Sequence, residues 1–257
     1  MKFGVCGDPG IASIAADAGY DFAEWTVASV LKPREPDDAF DAAREEARAA
    51  ALAYPVLNVF VPGDLKITGP DADLERLRSF VAAAMRRAQT AGVEVIVFGS
   101  GGARRVPDGF DRSVAHGQLI AFCSMAAPIA ADHGVTIAVE PLNLSECNVL
   151  NTVAECGELV KEVSHPGVRL LVDAYHLMHD SDSCEDIVMY GELLSHAHIA
   201  TVPNRLAPGA EPCDFGEFFA ALSRAGYRGR VSIEAKLSDP QEELPAALAE
   251  LRRYAAG

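Results

Sequence analysis

The stretch VRLLVDAYH, residues 168–176, decides the fold. Its valine- and leucine-rich start is typical of a strand that is buried on both faces of a parallel sheet. Asp173 and His176 follow this start directly. Because a carboxylate and an imidazole are costly at the end of a buried strand unless they have partners, we predict a functional site there.

The same ending recurs in three other apolar stretches, which carry Glu140, His198 and Glu234. With Asp173, these residues follow one another at intervals of 33, 25 and 36 residues, each long enough for one strand, one helix and two turns. Eight such units would average about 32 residues in a chain of 257, near the ~250 residues typical of a (βα)8 barrel. Since no linker or shift in composition divides the chain, we predict a single α/β domain over residues 1–257, a parallel (βα)8 TIM barrel.

Composition limits the classes of partner. The chain is 49% hydrophobic and 23% charged, and its net charge of −15 argues against nucleic acid or an anionic membrane. The start of the sequence shows no signal region, and no apolar run approaches the ~18 residues of a membrane span. The six cysteines form no CxxC pair. We predict a cytoplasmic protein with a small-molecule partner and neither a nucleic-acid nor a membrane partner; a homo-oligomer stays open.

Glu140, Asp173, His198 and Glu234 together indicate a metal site. Each residue alone would be typical of a helix cap or a surface ion pair. Three carboxylates that converge in one cleft repel one another, and a divalent cation removes that repulsion. Three oxygen ligands and one imidazole favour Mn²⁺, with Mg²⁺ or Co²⁺ as alternatives. His196 has the same parity as His198 and is expected either in the core or in contact with a metal ligand.

Four motifs stand at these strand ends: VEPLN (139–143), LVDAYHL (171–177), HAHIATVPNR (196–205) and IEAK (233–236). They resemble the xylose-isomerase-like TIM barrels of sugar isomerases and epimerases, with ketose 3-epimerases and hydroxypyruvate isomerases as close branches. The resemblance implies that the four residues above bind one divalent metal ion. It also implies that Glu146, His176 and Arg205 hold the substrate.

Two departures from the family pattern leave the sugar open, including whether it is phosphorylated. Thr201 stands where an acidic residue is usual, and Leu144 stands where an arginine is common. His198 favours the epimerase branch, since a glutamine often replaces this histidine in hydroxypyruvate isomerases.

The leading hypothesis is a metal-dependent ketose 3-epimerase that works through a metal-bound enediolate. Glu140 and Glu234 would act as an acid–base pair on opposite faces of the substrate. Alternatives are a hydroxypyruvate-type aldose–ketose isomerase and a lyase that dehydrates a cyclic polyol ketone. A phosphodiesterase on abasic DNA would need more histidine ligands and a basic face, and a non-catalytic sugar-binding barrel is not excluded.

Two further features have open roles. The loop GSGGARRVPDG, residues 99–109, could hold a phosphate or carboxylate, but we favour a turn whose arginines pair with the acidic surface. Trp25, Phe60 and Phe98 end three predicted strands and fit either a sugar-binding wall or the core.

Overall fold

Eight parallel strands form a closed barrel in chain order, which confirms the predicted fold. The structure, a computed structural model, describes residues 1–256. The first and last strands pair with each other and close the ring. The strands are β1 (Lys2–Cys6), β2 (Phe22–Thr26), β3 (Val56–Asn58), β4 (Val95–Phe98), β5 (Thr136–Val139), β6 (Val168–Asp173), β7 (Leu194–Ile199) and β8 (Arg230–Ile233).

Helices alternate with the strands and surround the barrel. Several begin at an aspartate, serine or threonine whose side chain accepts a hydrogen bond from the first turn, as expected of helix caps. They are α1 (Pro9–Ala18), α2 (Val27–Val30), α3 (Asp37–Arg48), α4 (Leu74–Ala91), α5 (Gly101–Arg104), α6 (Arg112–Asp132), α7 (Val153–Val163), α8 (Ala174–His179), α9 (Cys184–Met189), α10 (Gly216–Arg224) and α11 (Pro240–Ala256).

The sequence did not predict α2, α5 or α8, each of which follows a strand on the catalytic face. These helices have four to six residues, too few to show a helical hydrophobic period. The apolar stretch of residues 56–61, in which the sequence predicts a strand with Phe60 at its end, is a strand only as far as Asn58. Val59 leaves the strand with a positive φ of 52°, a conformation that no apolar pattern reveals.

Helix α6 has the length and hydropathy of a membrane span, contrary to the prediction that no such segment exists. It lies in the outer ring between α4 and α7. Its buried residues, such as Leu119, Phe122 and Ala126, pack into the main hydrophobic core. The apolar character therefore serves contacts with neighbouring helices and with the barrel.

The interior of the barrel changes from apolar to charged along its axis. Phe22 lies with Val56, Val97 and Leu171 in a buried apolar cluster. Its ring occupies the space that a Cβ at Gly4 would need, since such an atom would lie 2.3 Å from the Phe22 side chain. Two residues further along the strand that holds Phe22, the inward side chain is that of a glutamate, and the polar layer begins there.

Candidate active site

The side chains of Glu140, Asp173, His198 and Glu234 lie together at the carboxyl end of the barrel. Each offers one ligand atom, and all four atoms lie within 4.8 Å of one another. Asp173 ends β6 and His198 lies on β7, whereas Glu140 and Glu234 directly follow β5 and β8. Four neighbouring strands therefore deliver three carboxylates and one imidazole to one point.

The imidazole of His198 is fully buried and lies between two layers of carboxylates. Its Nδ1 is 3.0 Å from Glu140 Oε1 and 3.5 Å from Glu234 Oε2. Its Nε2 faces the opposite way and lies 2.9 Å from Glu24 Oε1. Burial disfavours the imidazolium, but Glu24 and Glu234 outweigh it and raise the pKa of His198 well above its ordinary value.

Asp173 has one oxygen with a clear structural role and one without. Oδ1 accepts a hydrogen bond from the backbone N–H of Tyr175 at 2.8 Å, which caps α8. Oδ2 is buried and has no hydrogen-bond partner among residues 1–256. A buried carboxylate oxygen without a partner is costly, and Asp173 offers one oxygen to the carboxylate cluster.

The residues fit a hard divalent cation. The donor set is three carboxylates and one imidazole, as Mn²⁺ and Mg²⁺ accept, and the unpartnered oxygen of Asp173 would gain a ligand bond. The sequence left a helix cap and a metal ligand as alternative roles for Asp173. In the structure Oδ1 caps α8, and Oδ2 stays available to a metal ion, so the two roles are compatible.

Glu140 and Glu234 have opposite pKa shifts. Burial raises the pKa of Glu140, and His198 offsets it only in part. Burial also acts on Glu234, but His198 and Arg205 outweigh it and lower the pKa of that carboxyl. Desolvation raises the pKa of Asp173 as well. Two carboxylates with divergent pKa values suit the two roles of an acid–base pair.

Arg205 joins the metal cluster to the rim of the site. Its Nη2 donates to Glu234 Oε2 at 2.5 Å, and its Nη1 donates to Glu146 Oε1 at 3.0 Å. The guanidinium also stacks over the ring of Tyr175 at 4.7 Å. These contacts place Glu146 and Arg205 beside the cluster. Arg205 lies in the loop after β7 and has a positive φ of 57°.

The hydrogen bonds of His176 define which ring nitrogen carries the proton. Its Nδ1 accepts from the backbone N–H of Asn143 at 3.1 Å. The neutral ring must then carry its proton on Nε2, which has no hydrogen-bond partner within residues 1–256 and lies 3.5 Å from Asp173 Oδ2. His176 therefore presents a free N–H donor next to the cluster, and burial lowers its pKa, which favours the neutral ring.

A cavity of about 360 Å³ opens above the cluster. Its polar lining includes Asn58, Glu140, Glu146, Arg205 and Glu234. The apolar part of its lining includes Val59, Val61 and Leu142.

The three aromatic residues considered in the sequence belong to the core. Trp25 stacks on Tyr54 with ring centroids 4.9 Å apart, and Phe60 and Phe98 pack against Phe122. All three are at least 97% buried. Aliphatic side chains of the loops after β3 and β5 therefore form the apolar side of the cavity.

Within residues 1–256, Arg104 and Arg105 of the loop after β4 form no ion pair with the acidic surface, so the favoured interpretation of that loop was wrong. Arg104 is fully buried and donates to the carbonyl oxygens of Phe98, Glu140 and Leu150. Arg105 donates to the carbonyl oxygen of Glu146. A guanidinium has several N–H donors, so one arginine can hydrogen-bond several carbonyl groups of a tight loop. Because one of these carbonyl groups belongs to Glu140, Arg104 also fixes the backbone of a cluster residue.

Gly99 leaves room for the carboxylate of Glu140. A Cβ at position 99 would lie 2.2 Å from Glu140 Oε2, so a side chain there would displace this carboxylate from its present position in the cluster.

Two residues of the site were missed in the sequence. Asn58, at the end of β3, donates from Nδ2 to Glu234 Oε1 at 3.2 Å. Glu24, on β2, is fully buried and contacts His198. Asn58 had the same signal as the other cluster residues, a polar residue at the end of an apolar strand. Glu24 interrupts the apolar stretch of its strand at the parity of Phe22, which marks it as facing the barrel interior.

The fold and this cluster define a (βα)8-barrel enzyme with a carboxylate and histidine site on its catalytic face. The family model of the xylose isomerase-like TIM barrel matches residues 12–254, and the chain belongs to that family. It is an enzyme of the isomerase class, as are the named epimerases among its relatives.

The relatives include L-ribulose 3-epimerase of Methylomonas sp. (strain DH-1), 30% identical over 230 residues, which are 88% of this chain and 77% of that protein. D-psicose 3-epimerase of Agrobacterium fabrum is 36% identical over 109 residues, 42% of this chain and 37% of that protein. The crystal structure of D-psicose 3-epimerase with D-tagatose from Clostridium cellulolyticum H10 superimposes with a TM-score of 0.85 at 21% identity, over 99% of each chain. That structure shows the shared fold.

Proposed function

We propose that this protein is a divalent-metal-dependent ketose 3-epimerase. The observation that carries the proposal is the pair Glu140 and Glu234. Both carboxylates line one cavity and belong to one potential metal cluster. The relatives named as 3-epimerases of L-ribulose and D-psicose support the choice of reaction.

The proposed ligands of the metal ion are Glu140, Asp173, His198 and Glu234. A divalent cation bound there would polarise the substrate carbonyl and stabilise developing negative charge on oxygen. The chain's own carboxylates would move the proton. One of Glu140 and Glu234 removes the proton from the carbon beside the carbonyl, and the other returns a proton to the opposite face.

Glu146, His176 and Arg205 are proposed to hold substrate hydroxyl groups. The free Nε2–H of His176 is a donor without a partner among the described side chains. Arg205 and Glu146 lie on the rim of the cavity, where a donor and an acceptor are already aligned with each other. Such fixed polar groups orient a sugar without induced rearrangement.

The charges of the cavity support an unphosphorylated sugar. Glu140, Glu146 and Glu234 line it, and its guanidinium, that of Arg205, already pairs with two of these carboxylates. The arginines of the loop after β4 are turned towards backbone carbonyl groups. With Asp173 of the cluster, four carboxylates face one guanidinium and the proposed divalent cation, which leaves one net negative charge. This charge disfavours a phosphate dianion and does not repel a neutral polyol.

The position of proton exchange tests the proposed reaction. We expect that the enzyme with Mn²⁺ and a free ketopentose or ketohexose in D₂O incorporates deuterium at C3 and not at C1. The reason is that inversion at C3 requires the proton at that carbon to leave and return, and two carboxylates serve its two faces. NMR spectra of the recovered sugar measure the label.

The same experiment distinguishes the alternatives. Label at C1 alone would assign the protein to the aldose–ketose isomerases. Loss of water from a cyclic polyol ketone, without exchange into a ketose, would make it a lyase. The matched control is a reaction with metal-free enzyme in chelator, which should leave the sugar unlabelled.

Substitution of Arg205 tests the division between metal ligands and substrate holders. We expect Arg205→Ala to retain its metal and to lose turnover by roughly 10- to 100-fold, because a hydrogen bond to a charged group contributes about 1.5–3 kcal/mol. Arg205→Lys should not restore turnover, since a single ammonium cannot reach Glu146 and Glu234 with the directed fork of a guanidinium. Metal analysis and steady-state kinetics measure both; loss of metal from Arg205→Ala would contradict the assignment.

Three further points stay predictions: Mn²⁺ as the native metal, a cytoplasmic location, and one domain over the whole chain. The absence of a nucleic-acid or membrane partner, and the oligomeric state, also stay predictions. Metal analysis of the protein purified from its own cells would identify the native ion.

A further inference from the structure

Glu24 is a fully buried carboxylate below the metal cluster. Its Oε1 accepts from His198 Nε2 at 2.9 Å. Its Oε2 accepts from His196 Nε2 at 2.9 Å and from Ser232 Oγ at 2.7 Å. Both oxygens therefore have donors, and the carboxylate is held in one orientation by residues on two other strands.

This arrangement determines which nitrogen of His198 faces the metal cluster. An ionised carboxylate only accepts hydrogen bonds, so the His198 nitrogen that faces Glu24 must carry a proton. The other nitrogen, Nδ1, is the one that lies beside Glu140 and Glu234. A neutral ring held by Glu24 therefore presents the Nδ1 lone pair to the cluster.

The surroundings explain why a carboxylate, and not another acceptor, occupies this position. His196, His198 and Ser232 are all fully buried, so solvent does not compete for these hydrogen bonds. An amide side chain in this position would present its acceptor oxygen to one imidazole and its N–H₂ group to the other. The layer of Glu24, His196 and Ser232 lies between the apolar cluster around Phe22 and the metal cluster.

We propose that Glu24 is a positioning residue that fixes the tautomer and ring orientation of His198 and so sets the affinity of the cluster for a divalent cation. The inference rests on the proposed metal site. Carboxylates that hold a metal-binding histidine typically change metal affinity by about 10- to 100-fold when they are replaced. Glu24 does not line the substrate cavity. Its hydrogen bonds among the described residues go to the two histidines and Ser232, and none goes to the three carboxylates of the metal cluster.

Titration of metal-free protein with Mn²⁺ by calorimetry tests this role without any measure of activity. We expect Glu24→Gln to bind Mn²⁺ about 10- to 100-fold more weakly than the wild type. Ser232→Ala is the matched control, because it removes a donor from the same carboxylate but leaves the bond between Glu24 and His198. That control should bind Mn²⁺ with nearly wild-type affinity.

Two results of this titration would overturn the proposal. Equal affinity of Glu24→Gln and the wild type would show that Glu24 has no influence on the cluster. Equal weakening in Glu24→Gln and Ser232→Ala would show that general disturbance of the buried layer is responsible. If the wild type itself binds no divalent cation, the proposed metal site fails, and this inference fails with it.

A second measurement uses only the wild-type protein and does not depend on whether a variant folds. In protein loaded with Mg²⁺ and labelled with ¹⁵N at histidine, we expect His198 to be protonated at Nε2, with this proton protected from exchange with solvent. Its Nδ1 should show the chemical shift of a nitrogen without a proton. Protonation at Nδ1, or a rapidly exchanging Nε2 proton, would overturn the assignment of Glu24.

Discussion

Replacement of Asp173 by asparagine should reduce the affinity for Mn²⁺ by more than about 100-fold, above the 10- to 100-fold effects of residues that only support ligands. The variant removes the negative charge of Asp173. Its Oδ2 is buried and has no hydrogen-bond partner among residues 1–256. Turnover should fall with occupancy. Metal analysis after dialysis and calorimetric titration of metal-free protein measure the loss.

The stability of the same variant separates loss of a ligand from loss of the fold. Asparagine caps helices about as well as aspartate, so the hydrogen bond to Tyr175 at the start of α8 should persist. Removal of one of several buried like charges should leave the metal-free variant at least as stable as the metal-free wild type. Asp111→Asn, the same change at the cap of α6, is the control and should keep full occupancy. Full occupancy in Asp173→Asn would contradict the ligand assignment.

Two single variants, Glu140→Gln and Glu234→Gln, should each lower turnover by about 10²- to 10⁴-fold, the usual contribution of a positioned acid or base. A more specific result is expected from exchange in D₂O, measured separately with the two C3 epimers of one ketose. Each epimer presents its C3 proton to a different face, so each should depend on a different carboxylate for exchange. One variant should lose exchange with one epimer and retain it with the other, and the second variant should show the reverse.

These two variants control for each other, because both remove one carboxylate of the same cluster. Measurements at saturating Mn²⁺ keep their metal occupancy comparable. If both variants lose exchange equally with both epimers, the two glutamates act only as metal ligands or one base serves both faces.

The sequence by itself determined the barrel and the convergence of the cluster. Regularly spaced buried strands, each with a helix behind it, allow few other arrangements than parallel βα units. In such a barrel the carboxyl ends of all strands meet on one face. Asp173 and His198 were therefore predicted to be neighbours from their positions at strand ends, although 25 residues separate them.

Only the tertiary structure decided the contacts that depend on distances across the barrel. Arg104 looked like a surface cation next to an acidic protein, but its loop folds inward and three carbonyl groups take its donors. Trp25 lies near the end of a strand, yet its ring stacks on Tyr54 in the core and does not line the cavity. The contact between Glu24 and His198 forms because β2 and β7 face each other across the barrel, which the sequence does not show. Strand spacing is a local property that the sequence carries directly, whereas the direction and partner of each side chain depend on elements distant in the chain.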